Sequence, residues 1–278
     1  MDVCAKLRGV LREKRVGHAG TLDPMATGVL PVFVGRATRA VEFAAEGGKE
    51  YLAGLKLGVI TDTQDVTGTV LEERPVHVTR ERLEAATQQF CGEILQVPPM
   101  YSAIKIKGKK LYELARKGKE VERAARPVTI SVFWPLEQLG EDEYLMRIRC
   151  SKGTYVRTLC HDIGQALGCG GCMSSLRRTE AAGFTLEQAV SMEDFLAAAE
   201  RGEAERLLLP VDEYFARNGW NAALTVKPEV EKRLRNGASV PLPGVEGGFR
   251  VYGESGEFLL LARCDGSVMK IIKSFYEV

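Results

Sequence analysis

The chain has 278 residues, 45% of them hydrophobic and 27% charged, with 38 Lys and Arg against 37 Asp and Glu. That is ordinary globular composition, with enough chain for one large domain and a small one. No apolar run approaches the ~20 residues that span a bilayer, and Met1-Asp2-Val3-Cys4-Ala5-Lys6 lacks the basic, apolar and small-residue order of a signal peptide, so the expectation is a cytoplasmic protein with no membrane partner.

Val3, Leu7, Val10 and Leu11 follow helical spacing and predict an amphipathic helix over residues 2–13. A loop punctuated by Gly, Thr and Pro comes next, then an apolar strand near 29–34. Thr38 to Glu46 reads as a short helix closed by Gly47-Gly48, and Tyr51, Ala53, Leu55 and Leu57 alternate as a strand over 50–57. Asp62 to Gly68 is a turn-rich loop. Thr79 caps a predicted helix carrying Leu83, Ala86 and Phe90, with Gly92 just beyond its end. After Pro98-Pro99, the segment from Ser102 runs through a Lys107-Gly108 turn into a basic helix that extends to Lys117 and is stopped by Gly118. Val128–Phe133 and Tyr144–Cys150 are strands. Tyr155, Leu159, Ile163 and Leu167 share a helix face, with Thr154 as the expected N-cap. Ser191 opens an acidic helix. The pattern weakens around 213–227. Lys227-Pro228 then opens a short helix, and short strands follow around Arg250, Phe258 and Val268.

Strands and helices mix without a regular β-α-β beat. The fold class expected is α+β, with a mixed, mostly antiparallel sheet flanked by helices and a small β-rich module at the C-terminal end. The division expected is 1–215 and 222–278.

Charge is segregated. Residues 101–126 hold nine Lys/Arg against three Glu (+6), and 147–178 hold six against one Asp (+5), whereas 187–213 hold eight acids against two Arg (−6). Such asymmetry suits a protein that offers one face to a polyanion, although a solvated surface would read the same way. The seven cysteines suggest reduced thiols. Cys160, His161, Cys169 and Cys172 contain a single Cys-x-x-Cys, and Cys160 and His161 are adjacent. They read as small buried or loop residues rather than zinc ligands, so no metal is expected. A zinc or thiol redox protein is the corresponding rival.

The 15-residue string from Gly17 to Pro31 carries the most information. Gly17, Gly20 and Pro24 forbid a continuous helix, so Asp23 projects from a fixed turn beside a buried strand. An Asp before Pro is by itself an ordinary turn residue. Four more stretches accompany the string in order. Lys49-Glu50-Tyr51 precedes Leu57-Gly58 and Thr61-Asp62-Thr63. Pro99 to Lys105 leads into Gly108 to Tyr112. Cys150 to Leu159 and Leu176-Arg177-Arg178-Thr179 complete the set. Together these residues resemble the TruB family of pseudouridine synthases over most of residues 5–180.

The resemblance implies the pseudouridine synthase fold and isomerisation of the T-loop uridine at position 55 of tRNA, without a cofactor. It also implies a PUA-like RNA-binding module at the C-terminal end, the T-arm of tRNA as partner, and a monomer. The reaction breaks the C1′–N1 bond, turns the uracil and joins C1′ to C5. A carboxylate either forms an adduct or stabilises a charged intermediate. By resemblance that carboxylate is Asp23 and its cationic partner is Arg157, in the first turn of a helix; a surface phosphate contact is the plain alternative for Arg157. Tyr51 resembles the active-site tyrosine and Leu176 an apolar wall of the pocket, though both could be core residues. Lys152 resembles a phosphate or active-site contact, and could be a solvated turn lysine. His18 resembles the histidine that holds the target base flipped out, and could be a turn residue. Lys105, Lys107, Lys109 and Lys110 are expected to contact the RNA backbone.

The sequence departs from the family at its start. Members usually carry a strand and a Lys-Pro-x-Gly-x-Thr-Ser motif ahead of the first helix here, so the expectation is a chain short at its N-terminus. Two further rivals share the scaffold: a non-catalytic RNA-binding or RNA-folding protein, and a synthase that needs a guide RNA.

Overall fold

The computed structural model describes residues 2–106 and 108–276. The chain forms two compact units from discontinuous segments. One comprises Leu22–Val29 and Glu46–Ala181; the other comprises Met1–Thr21, Leu30–Ala45 and Ala182–Val278.

The first unit is built on a sheet in the order Gly171–Ala181, Lys49–Leu57, Glu143–Cys150, Arg126–Gly140 and Gly92–Gln96, all antiparallel, with the two-residue strand Thr27–Gly28 added parallel to Gly171–Ala181. Alternation places Tyr51, Ala53, Leu55 and Leu57 on one face, with Tyr144, Met146, Ile148 and Cys150 beside them. That face buries Leu159 and Ile163 of the helix Val156–Leu167 and Leu83 of the helix Arg80–Gln88 in one core. Each such leucine or isoleucine contributes about 1.5–3 kcal/mol. Thr79 caps the second helix as the sequence predicts, its hydroxyl accepting from the Arg82 N–H at 3.3 Å.

In the other unit, the helix Val3–Leu11 is capped by Asp2 and buries Cys4 and Leu7 against Val16, Phe195 and Ala204. Val16–His18 pairs with Val32–Val34. Residues 223–274 form a five-stranded sheet ordered Ala223–Val226, Glu246–Gly253, Phe258–Asp265, Val268–Ser274 and Val240–Pro241. Its first pair is parallel and the others are antiparallel, and the helix Pro228–Arg235 packs on it through Leu234. A second core joins Phe33, Phe43, Tyr214, Phe215, Leu261 and Phe275. Phe215 meets Phe43, Trp220 and Phe275 edge to face at 5.4, 6.4 and 5.3 Å. The α+β class and the β-rich C-terminal module are therefore as the sequence predicts. No helix among the described residues is long and apolar enough to cross a membrane.

Several local expectations are corrected. The strand near 29–34 is confined to Val32–Val34, because Pro31 has no N–H for a ladder. The helix of 38–46 opens as a 3-10 turn, Gly35–Ala40, before Val41–Glu46. The basic helix is Leu111–Ala115 and stops short of Lys117. Gly92 begins a strand rather than ending a helix. Gly171–Ala181 and the helix Val211–Arg217 have no counterpart in the sequence reading. Thr154 is not the N-cap: its hydroxyl donates to the Ser151 carbonyl at 3.0 Å, and Tyr155 takes the cap position without a side-chain bond.

Candidate active site

Asp23 opens a β-turn. The Ala26 N–H donates to the Asp23 carbonyl at 2.9 Å, and Pro24 fixes φ at the second position. The chain then enters Thr27–Gly28, which the sheet holds against Gly171–Ala181. Gly28 pairs with Arg178 at φ +98°, and a Cβ there would stand 2.1 Å from the Arg178 carbonyl oxygen. Only glycine permits that approach. The Asp23 side chain is left 30% exposed, at the rim of the core.

Arg157 meets it from the first turn of Val156–Leu167. One terminal nitrogen, Nη2, donates to Asp23 Oδ1 at 3.1 Å and to the Tyr101 carbonyl at 2.8 Å; Nη1 lies 3.9 Å from Asp65 Oδ2. Arg157 and Asp65 side chains are each 7% exposed, so this charge is held between two carboxylates away from water. Asp65 is fixed in turn by the hydroxyls of Thr63 and Thr67 at 2.9 and 2.5 Å and by the Thr67 N–H at 2.9 Å.

Two contacts place the arginine helix. Buried Gln96 accepts from the Tyr155 N–H at 2.8 Å and donates to the Tyr155 carbonyl at 3.1 Å. Thr158 donates to Gln64 Oε1 at 2.7 Å, and Gln64 itself sits in the left-handed region at φ 66°.

The electrostatics of Asp23 are a contest. Burial raises its pKa above the ordinary carboxylate value; Arg157 pulls it down, Asp65 pushes it up, and the net shift is upward. Tyr51 is 7% exposed, and burial pushes its phenol up to about 12, against the pull of the neighbouring Arg178. The phenol therefore stays protonated across the neutral range.

Leu176 lies on the same buried face, opposite Ala53, as part of the core. Lys152 is exposed and ion-paired with Glu46. Lys105 and Lys110 face each other across the short hairpin Lys105–Ile106 and Lys109–Lys110; Lys107 lies outside the described residues. Beside this hairpin, the Tyr112 ring has Lys110 Nζ at 5.4 Å and the Arg116 guanidinium at 5.3 Å. His18 belongs to the other unit, at the end of Val16–His18, and its Nδ1 is buried with no hydrogen-bond partner among the described residues. Cys160 and Cys172 are fully buried, and burial pushes their thiols up, so they are inert core groups. Among the described residues, no three His, Cys, Asp or Glu gather as metal ligands.

The sequence reading missed two residues of this site, Asp65 and Arg178. Asp65 was legible only as a turn residue. Arg178 is a fully buried arginine in a strand, a placement that nothing in composition suggests.

Residues 8–156 match the model of the TruB family pseudouridylate synthase N-terminal domain, and residues 157–216 match that of the tRNA pseudouridylate synthase B C-terminal domain. The chain belongs to the TruB family. Among its relatives, the tRNA pseudouridine synthase B of Alkaliphilus oremlandii (strain OhILAs) is 47% identical over 236 residues, covering 85% of this chain and 77% of that protein. The enzyme of the same name from Clostridium perfringens (strain 13 / Type A) is 40% identical over 284 residues, 99% of this chain and 94% of that one. Of the solved structures, a chain of a Cbf5-Nop10-Gar1 complex superposes with a TM-score of 0.73 at 26% identity, covering 99% of this chain and 80% of that chain. All five motif stretches fall wholly or largely within the TruB-matched residues, and Asp23, Tyr51 and Arg157 all lie there.

Proposed function

We propose that this chain is a tRNA pseudouridine synthase that isomerises the T-loop uridine at position 55, with Asp23 as its catalytic carboxylate. Family membership and the names of the relatives support the reaction and the substrate class. The observation that carries the role of Asp23 is its pairing at 3.1 Å with a buried arginine at the rim of the core. A carboxylate that must be ionised there needs such a partner. Asp23 attacks or stabilises the sugar–base centre as the C1′–N1 bond breaks; C1′ then joins C5, the C5 proton leaves, and N1 takes a proton. Atoms and electrons balance without a cofactor. Tyr51 stacks on the flipped uracil and Leu176 closes the opposite wall. Lys152 contacts a flanking phosphate, and His18 favours the flipped-out state. Lys105, Lys107, Lys109 and Lys110 grip the RNA backbone. Residues 1–215 serve catalysis, residues 222–278 dock on RNA, and the protein works as a monomer on the T-arm.

Tritium release from a tRNA transcript labelled at uracil C5 tests the reading. Release by the wild type, none by Asp23→Asn, and none from a transcript carrying cytidine at position 55 are the expected results. Binding of tRNA without release by the wild type would instead favour an RNA-binding protein on this scaffold. Release from the cytidine-bearing transcript would overturn the assigned position.

A further inference from the structure

Arg178 is among the largest fully buried side chains of the structure, and nothing in the reading above uses it. It sits on Gly171–Ala181 where three elements meet. Across the antiparallel ladder its partner is Tyr51; across the parallel one it is Gly28. Its Nε donates to the Val29 carbonyl at 2.7 Å, and its own carbonyl accepts from the Val29 N–H at 2.8 Å. Arg178 and Tyr51 are both buried as ladder neighbours, and the arginine's charge and donor groups pull the phenol's pKa down against burial. One rigid, permanently charged fork thus bridges the exit of the Asp23 loop and the phenol.

A guanidinium only donates, whereas a phenol both donates and accepts. A guanidinium N–H donating to the Tyr51 oxygen fills one of its acceptor positions and directs the phenol's own O–H away from the arginine. A cation beside the oxygen also makes that O–H a stronger donor. We propose that Arg178 is a positioning residue that acts through Tyr51: the Val29 carbonyl fixes the arginine, and the arginine orients the Tyr51 hydroxyl toward the uracil as a hydrogen-bond donor. This rests on the reading of Tyr51 as a pocket residue.

The test uses the full chain with single-turnover tritium release, tRNA affinity, and the 13Cζ tyrosine resonance of Tyr51, assigned by its loss in Tyr51→Phe. Arg178→Gln is expected to slow single turnover by roughly 10- to 100-fold, the range one charge-assisted hydrogen bond supplies, with tRNA affinity unchanged. Arg178→Lys, which keeps charge and a donor, recovers part of that loss. In the Tyr51→Phe background, Arg178→Gln costs no further rate. The Tyr51 resonance shifts in Arg178→Gln of the free protein, whether or not the protein is active.

Additive losses in the double variant, or an unmoved Tyr51 resonance in a folded Arg178→Gln, would overturn the proposal. A wild type that binds tRNA but releases no tritium would sink the proposed function instead, and the resonance would still report the Arg178–Tyr51 bond. If Arg178→Gln does not fold, Arg178→Lys carries both readouts, and wild-type rate with an unshifted resonance in that variant is the overturning result.

Discussion

In the proposed reaction Asp23 acts ionised, and its balance of burial against Arg157 then sets the pH range in which it can act. Its folded pKa lies above the ordinary carboxylate value, so the rate should fall as pH drops through that raised value. Arg157 is the group pulling downward. In Arg157→Gln the pull is gone while burial and Asp65 remain, so the acid limb of single turnover moves to higher pH. Log rate against pH, from about pH 4.5 to about pH 8, reads this directly; an unmoved limb would assign it to another group. Stability carries the opposite sign. Between the unfolded and the raised folded pKa, the folded state holds more proton than the unfolded one, so the contribution of Asp23 to stability falls as pH rises through that window. Asp23→Asn cannot ionise, so its melting temperature relative to wild type should climb over the same window. Gly28 is the other sensitive residue of this loop. Gly28→Ala adds positive-φ strain to a backbone clash, each about 1–3 kcal/mol, and urea unfolding should show a loss of about 2–6 kcal/mol.

Elements matter here for how firmly they hold those residues. The helix Val156–Leu167 starts at a cap with no side-chain bond of its own, and Gln96 supplies the partners for the Tyr155 main chain instead. Gln96→Leu takes the partner from the half-buried Tyr155 N–H and leaves the Tyr155 carbonyl with the Leu159 N–H alone, for a loss of about 1–3 kcal/mol, and loosens the turn that aims Arg157. Denaturant titration gives the loss; single turnover should fall with it, while Gln96→Glu, which still accepts from the N–H, falls less. The sequence could suggest Arg157 in a first helical turn, because Tyr155, Leu159, Ile163 and Leu167 mark the helix. It could not suggest Gln96, whose partner lies 59 residues away. Gly171–Ala181 was illegible for a related reason. Its buried positions include Arg178, and two register shifts, at Met173/Ser175 and Arg178/Glu180, break the alternation that marks a strand. The turn that carries Asp23 was legible because its chemistry is local, with Gly20, Pro24 and Gly28 visible in the string itself, whereas the role expected of Asp23 came from the family resemblance of the whole string.

Across the whole molecule a formal charge of +1 gives no hint of a polyanionic partner, yet binding should behave as if the protein were strongly basic. Affinity for a phosphate backbone depends on how many cations meet phosphates, since each contact releases a condensed counterion; the sum of distant charges matters little beyond a Debye length. The acidic excess of 187–213 can therefore coexist with tight RNA binding if it lies away from the RNA. Lys105, Lys109 and Lys110 are a compact group on one hairpin, and Arg116 adds to it over the Tyr112 ring. If these three lysines grip phosphates, replacing them with alanine lowers the magnitude of the slope of log affinity against log salt by about 2–3, at 0.7–0.9 per contact. The same triple variant, at saturating protein, should keep the wild-type single-turnover rate, because none of the three reaches the Asp23–Arg157 pair. Filter binding across a salt series measures the first quantity and tritium release the second. Weaker affinity with an unchanged salt slope would mean that the hairpin shapes the site rather than neutralising phosphate, and the RNA-facing cations would then have to be sought among Arg147, Arg149 and Arg177 on the sheet.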